Sequence, residues 1–296
     1  MNGPRSCGAF FLKIMNKVAI QGIRGSFHEE AAALYFKDEF KSVECMDFRS
    51  LANQVSSGNS HWGVMAVENS LAGAILPNFS LIRGSGLQII GEVYLRITQN
   101  LMALPGETIS SLSEVRSHPM ALMQTEEFFL QNSKIRLVES YDTALSAKEI
   151  AENKLSGVGA VGSFRAAQIF GLTILAPSIE TNKKNFTRFL IVGKQQADLP
   201  EQGQLKASVA FIAPHSPGSL AGILTPLAQW GVNLSLIQSL PLIGKTWEYI
   251  FHADMVFENH EHATSSLKKL GEMIDDLWVL GIYKPGEIFG VNGNGN

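Results

Sequence analysis

The sequence predicts an α/β protein in two parts, and three observations carry that prediction. Residues 17–193 alternate short apolar strands with helices, the order that builds α/β layers on largely parallel sheets. Residues 205–283 change style and read strand–helix–strand–strand–helix–strand, the ferredoxin-like βαββαβ order. Between them, residues 194–204 are polar, with one proline and one glycine, as a linker should be. A chain of 296 residues also suits two compact domains.

The elements follow in order. Residues 18–20 (Val-Ala-Ile) form a first strand, and Ser26 with Glu29 makes a capping box for a helix over 27–36. Residues 63–67, 87–95 and 99–104 are apolar runs of strand length. Pro119 suits a helix start, with His118 ahead of it and a helix over 120–130. A strand at 135–138, a helix at 143–151, a strand at 158–161 and a helix at 164–170 continue the alternation. The apolar run 190–192 closes the first part, entered through Thr187-Arg188-Phe189. In the second part the strands are 207–213, 234–240, 248–256 and 278–283, and the helices 219–230 and 263–274. Gly222 and Pro226 predict that the first of these helices is kinked or shortened. Residues 1–16 form an expected disordered leader, whose patch Ala9-Phe10-Phe11-Leu12 is too short and too poorly flanked for a signal peptide. Translation can start at Met1 or Met15. The Gly- and Asn-rich tail from Gly286 is expected to fray.

Composition narrows the function. Hydrophobic residues are 45% and charged residues 17%, which suits a soluble protein with a sizeable core. Net charge is -3 and no Lys/Arg run exceeds two residues, which argues against nucleic acid or an anionic membrane as partner. Cys7 and Cys45 form no Cys-x-x-Cys, so neither a disulfide framework nor a zinc site is expected, and a reducing cytoplasm is. No apolar run approaches the ~18 residues of a membrane helix. His260 and His262 flank Glu261 without the further ligands a metal site needs.

Three junctions point to chemistry. Gln21-Gly22-Ile23-Arg24-Gly25-Ser26, Glu68-Asn69-Ser70-Leu71-Ala72-Gly73 and Gly162-Ser163 each follow a strand with small polar residues. Helix starts expose free N–H groups and favour negative charge, and strand ends in one sheet can converge on one ligand. Each junction also reads as simple helix capping. Gly22-x-x-Gly25 lacks the dinucleotide fingerprint and there is no Walker A lysine, so a small dicarboxylate fits better than a phosphate cofactor. Thr187 and Arg188 place a hydroxyl and a guanidinium at the mouth of a buried strand, where Val or Ile would serve structure better.

The order of these motifs resembles the prephenate dehydratases from Lys17 to about Gly286. The matching segments are Gly22-x-x-Gly25-Ser26-Phe27, Glu68-Asn69-Ser70-x-x-Gly73 and His118-Pro119-x-Ala121-Leu122-x-Gln124, where Thr125 replaces the family's cysteine. Asp142-Thr143-Ala144, Gly162-Ser163-x-x-Ala166-Ala167, Phe170-Gly171-Leu172 and Asn185-x-Thr187-Arg188-Phe189 follow in register. The resemblance implies a two-lobed catalytic domain over 17–193, like the type II periplasmic binding proteins, with crossings near 96–100 and 175–182. It implies an ACT regulatory domain over 205–286, on Pro217-Gly218-Ser219-Leu220 and Gly231-Val232-Asn233-Leu234, and a tail over 287–296.

The implied reaction is the decarboxylating dehydration of prephenate to phenylpyruvate. Aromatisation drives it, so neither cofactor nor metal is needed. Thr187 is then the donor to the leaving oxygen. Ser26, Asn69, Ser70, Gly73, Gln124, Thr143, Gly162, Ser163, Arg188 and Phe189 are the implied substrate-binding residues. Alternation along a strand turns Arg188 away from the face that Thr187 presents, so Arg188 is either a carboxylate clamp or half of a buried ion pair. Pro217, Gly218, Ser219, Leu220, Asn233 and Leu234 are the implied L-phenylalanine site, in a homodimer or homotetramer. Gln238 and Leu240 depart from the Ile-Glu-Ser-Arg-Pro of many members, which weakens the expected feedback. An arogenate dehydratase would share every motif, and a non-catalytic two-lobed binding protein would share the fold.

Overall fold

Strand β1 (Asn16–Gln21) opens the first lobe, with Val18, Ala19 and Ile20 fully buried. The computed structural model describes residues 15–37, 39–242 and 248–290, so the leader up to residue 14 and the tail from residue 291 lie outside the described residues. Asn16, the last residue assigned to the leader, belongs to β1. Helix α1 (Phe27–Phe36) starts at Ser26, whose Oγ accepts from the Glu29 N–H, and stops at Lys37 in the left-handed region. Then come β2 (Phe40–Cys45), α2 (Phe48–Ser56), β3 (Trp62–Asn69), the short β4 (Gly73–Ala74), α3 (Leu76–Gly84) and β5 (Gln88–Arg96). Asp47 and Ser50 form a reciprocal capping box on α2.

The second lobe runs β6 (Asn100–Ala103), β7 (Glu114–Ser117), α4 (Pro119–Gln124), α5 (Glu126–Gln131), β8 (Arg136–Glu139), α6 (Thr143–Asn153), β9 (Val158–Gly162), α7 (Phe164–Phe170) and β10 (Thr173–Ala176). The chain then returns to the first sheet as β11 (Phe186–Gly193). One helix was expected over 120–130, but it divides at Thr125, whose hydroxyl bonds back to the carbonyls of Ala121 and Leu122.

The first sheet has the order β5-β11-β3-β1-β2 and the second β10-β6-β9-β7-β8. Both are mixed rather than largely parallel. β1 pairs parallel to β2 and β3, whereas β11 runs antiparallel to both β3 and β5, because the returning chain enters from the opposite end. β6 likewise runs antiparallel to β9 and β10.

Residues 194–204 form no helix or strand. The chain resumes as β12 (Leu205–Ile212), α8 (Ser219–Gln229), β13 (Asn233–Pro241), β14 (Tyr249–Phe257), α9 (His260–Met273) and β15 (Leu277–Tyr283), in the sheet order β13-β14-β12-β15. Helix α8 is not shortened at Pro226. The proline stands four residues after Gly222, so the hydrogen bond it forgoes is to a carbonyl on the exposed side of the helix.

The helices cover one face of this sheet over Val209, Phe211, Leu227, Met255 and Leu270. Its other face packs on the first lobe: Ala210, Leu236, Ile250 and Leu280 share a core with Leu51, Val55, Ile82 and Ile89. At this contact a Cβ on Gly281 would lie 2.1 Å from the Ile89 carbonyl oxygen, so only glycine lets β15 cross β5 so closely. The expected fraying from Gly286 does not hold for its first residues. β16 (Ile288–Phe289) pairs parallel to β5, because the Glu287 carbonyl accepts from Tyr94 and Phe289 packs into the core beneath α1. Among the described residues no helix is long and apolar enough to cross a membrane.

Candidate active site

The two crossings between lobes run side by side. The Ile97 N–H donates to the Asn185 carbonyl (2.8 Å) and the Ile179 N–H to the Gln99 carbonyl (2.7 Å). They border a cleft of about 570 Å³. Thr187 and Phe189 reach it from β11, Asn69 from the end of β3, and Ser26 and His28 from the start of α1. The second lobe contributes His118 and Gln124 from α4 and its cap, and Asp142 and Thr143 from the start of α6. Of the implied residues, Thr187, Ser26, Asn69, Gln124, Thr143 and Phe189 therefore share one cavity.

The centre of this cavity is a pair. Asn69 Oδ1 accepts from the backbone N–H groups of Leu71 (3.0 Å) and Ala72 (2.9 Å). That fixes which way the amide points. Its Nδ2 donates to Thr187 Oγ1 (2.9 Å) and to Asn185 Oδ1 (2.8 Å). Thr187 Oγ1 is thus an acceptor, and the hydroxyl proton is left to donate elsewhere. Thr187 itself is 8% exposed.

Arg188 does not line this cleft. Its guanidinium lies on the opposite face of β11, 2% exposed. Nε donates to Glu92 Oε2 (2.7 Å), Nη2 to the Tyr283 hydroxyl (3.1 Å), and Nη1 pairs with Asp254. Lys206 adds a bond to the other Glu92 oxygen (2.6 Å), so two cations meet two anions out of water. Buried Arg188 is held firmly protonated: desolvation opposes its charge, but Tyr283, Asp254 and Glu92 outweigh it.

Ser70, Gly73, Gly162 and Ser163 also stay out of the cleft wall. The Ser70 hydroxyl accepts from the Phe186 N–H (2.9 Å) and donates to the Lys184 carbonyl (3.0 Å), which sets the entry to β11. Gly73 pairs with Asn69 in β4. Gly162 ends β9 against Asn100. Ser163 caps α7 and donates to the Gly25 carbonyl (2.6 Å), joining the lobes. Gly25 has φ +87 and a Cβ there would meet Ala166 Cα at 2.9 Å, so this glycine-rich turn is shaped by lobe contact rather than by ligand alone.

Sequence reasoning gave no role to His28 or Asp142. The His28 ring meets Phe189 edge-on (5.0 Å), and burial lowers its pKa to about 3, so it is neutral. Its position two residues after the Ser26 cap was the available signal. Asp142 caps α6, and burial raises its pKa. His118 is the helix cap foreseen, accepting from the Met120 N–H at Nδ1, and it lines the cleft as well. No lysine or arginine lines the cleft among the described residues. The starts of α1, α4 and α6 border the cleft instead.

A second hollow, of about 340 Å³, lies at the start of α8. Pro217 and Ser219 line it with Tyr249 and Phe251, and Gly218 takes φ +82 as the cap. Leu220 and Leu234 pack instead into the core under the helices, and Asn233 is exposed at the start of β13.

The prephenate dehydratase family model matches residues 18–197. The chain is 35% identical over 280 residues to "Arogenate dehydratase/prephenate dehydratase 2" of Arabidopsis thaliana, across 90% of this chain and 72% of that protein. Among solved structures, GqqA, described as a novel type of quorum quenching acylase, superposes with a TM-score of 0.81 at 28% identity, covering 91% of this chain and 98% of its own. Prephenate dehydratase from Arthrobacter aurescens, in complex with L-Phe, superposes with a TM-score of 0.78 at 27% identity, covering 90% and 89%.

Proposed function

The chain belongs to the prephenate dehydratase family, and from that premise we propose that it converts prephenate to phenylpyruvate in L-phenylalanine biosynthesis, with Thr187 as donor to the leaving hydroxyl. One observation carries the residue assignment: the Asn69 N–H on Thr187 Oγ1 leaves the threonine proton to point at the cleft. The bond from the ring's quaternary carbon to its carboxylate breaks, and carbon dioxide leaves. That electron pair moves through the ring and expels the hydroxyl opposite. A hydrogen bond from Thr187 stabilises the departing oxygen, which takes a proton to become water. Accepting from Asn69 makes the threonine hydroxyl a better donor.

Ser26, Thr143 and the free N–H groups at the starts of α1 and α6 take the carboxylates, and the Gln124 amide adds a donor. Phe189, Ala66 and Ile97 form an apolar wall that disfavours localised carboxylate charge and so favours loss of carbon dioxide. Ser70, Gly73, Gly162 and Ser163 support the site from behind. The two sheets joined by paired crossings fit the type II periplasmic-binding arrangement, and the protein works in the cytoplasm.

An acylase reading has less support. Acyl transfer through Thr187 would need a base on its hydroxyl, and its neighbour is an N–H donor.

The βαββαβ unit is read as an ACT domain with the ferredoxin-like fold, and L-phenylalanine as its feedback inhibitor. Pro217, Gly218 and Ser219 would face Asn233 of a second subunit in a homodimer or homotetramer. The test is purified full-length protein with prephenate and, separately, arogenate, with no cofactor or metal added. Phenylpyruvate from prephenate is the expected product. Phenylalanine from arogenate alone would make it an arogenate dehydratase, and no product from either would end the proposal. Feedback fails if millimolar phenylalanine neither binds by calorimetry nor slows turnover.

A further inference from the structure

Asn185 is completely buried, in the second crossing just ahead of β11. Its backbone carbonyl accepts from Ile97 in the first crossing, so the residue is fixed where the two crossings meet. Its side chain is satisfied on one end only. Oδ1 accepts from Asn69 Nδ2 at 2.8 Å, while its own Nδ2 has no hydrogen-bond partner among the described residues. An unmet buried amide is destabilising, so a side chain serving packing alone would be better made of apolar atoms. What the residue does achieve is to occupy one of the two Asn69 N–H groups. The Asn69 oxygen is taken by Leu71 and Ala72, and its remaining N–H falls on Thr187.

We infer that Asn185 is a positioning residue, which acts through Asn69 to hold the Thr187 hydroxyl as a donor aimed into the cleft. This rests on the proposed role of Thr187. The chain of bonds from Asn185 Oδ1 through the Asn69 amide to Thr187 Oγ1 leaves the Asn69 amide no free rotation. Without Asn185, the amide can tilt about its Oδ1 bonds to Leu71 and Ala72, its N–H leaves Thr187 Oγ1, and the threonine hydroxyl loses the contact that orients its proton toward the substrate. The loss belongs to the chemical step, not to binding, because Asn185 does not line the cleft.

Wild-type turnover of prephenate is measured first, so a failure of the functional reading is seen before any variant is compared. Asn185→Ala should then lower kcat roughly 10-fold to 10²-fold with KM within about twofold. In an Asn69→Ala background the same substitution should cause no further loss, since its route to Thr187 is already cut. Asn185→Leu, close in volume and without an acceptor, should show the same loss of kcat, and it carries the test if the alanine variant does not fold. An alanine or leucine variant with wild-type kcat, a rise in KM alone, or multiplied losses in the double variant would each overturn the inference.

Discussion

Strand β11 presents two environments on two faces, one residue apart. On one face Thr187 and Phe189 border an open cleft, and the threonine hydroxyl is left with a proton to give. On the other, Arg188 is locked by Glu92, Asp254 and Tyr283, with Lys206 completing the charge balance. The first face is arranged for a molecule that comes and goes. The second fastens the catalytic strand to the βαββαβ sheet, because Asp254 lies on β14, Lys206 on β12 and Tyr283 on β15. Adjacent residues of one motif thus meet unlike surroundings: the hydroxyl borders the cleft, where we propose it acts, and the guanidinium ties β11 to the βαββαβ sheet.

Substitutions on either face can break or sharpen this contrast. Thr187→Ala should reduce turnover roughly 10²–10⁴-fold while leaving the melting temperature nearly unchanged, since one donor in the transition state is lost. Near-normal turnover in the folded variant would take Thr187 out of the mechanism. Arg188→Lys should do the reverse. The charge stays but the planar fork is lost, so stability should fall by roughly 2–4 kcal/mol with little change in KM. Denaturant unfolding beside steady-state kinetics decides it, and a raised KM at unchanged stability would return Arg188 to the substrate.

A smaller effect tests the same domain contact by pH. His252 on β14 is 1% exposed, with neither ring nitrogen partnered among the described residues, and burial with nearby Arg83 lowers its pKa to about 4. Between that value and about 6.5 the unfolded chain binds the extra proton and the folded one does not. Stability therefore falls as pH falls through this window, by roughly 2 kcal/mol at pH 5. His252→Phe should lack this contribution, so its stability relative to wild type should rise between pH 7 and pH 5. A constant difference would mean that the imidazole titrates normally in the fold.

Much of the cleft face was legible in the sequence, and little of the other. Thr187, Asn69, Ser26, Gln124 and Thr143 stood in short motifs whose order along the chain resembles the prephenate dehydratases. Alternation along a strand also separated Thr187 from Arg188 correctly. It could not say what Arg188 meets, because Glu92 is 96 residues away and Asp254 is 66. Ser163 and Gly162 looked like ligand groups since a helix cap and a ligand-binding turn share one local chemistry. β2 was hidden because its burial is uneven, whereas α2 carries its own signal in Phe48, Leu51, Ala52 and Val55 at helical spacing. His28 gave no signal beyond its place after a cap, because only the fold brings Phe189 and Phe48 against it.

The two-residue strand β16 has a consequence for how the protein is made. Synthesis runs from the N-terminus, and the first lobe is nearly complete once β11 has left the ribosome. Yet β5 then still has one open edge, which Ile288 and Phe289 will fill. Its Glu92 also awaits Lys206, and Arg188 awaits Asp254. An unpaired strand edge and a half-made buried ion pair both favour association with other chains. The nascent lobe therefore stays vulnerable until Ile288 and Phe289 are added, and a chain cut at Gly193 would remain in that vulnerable state for good.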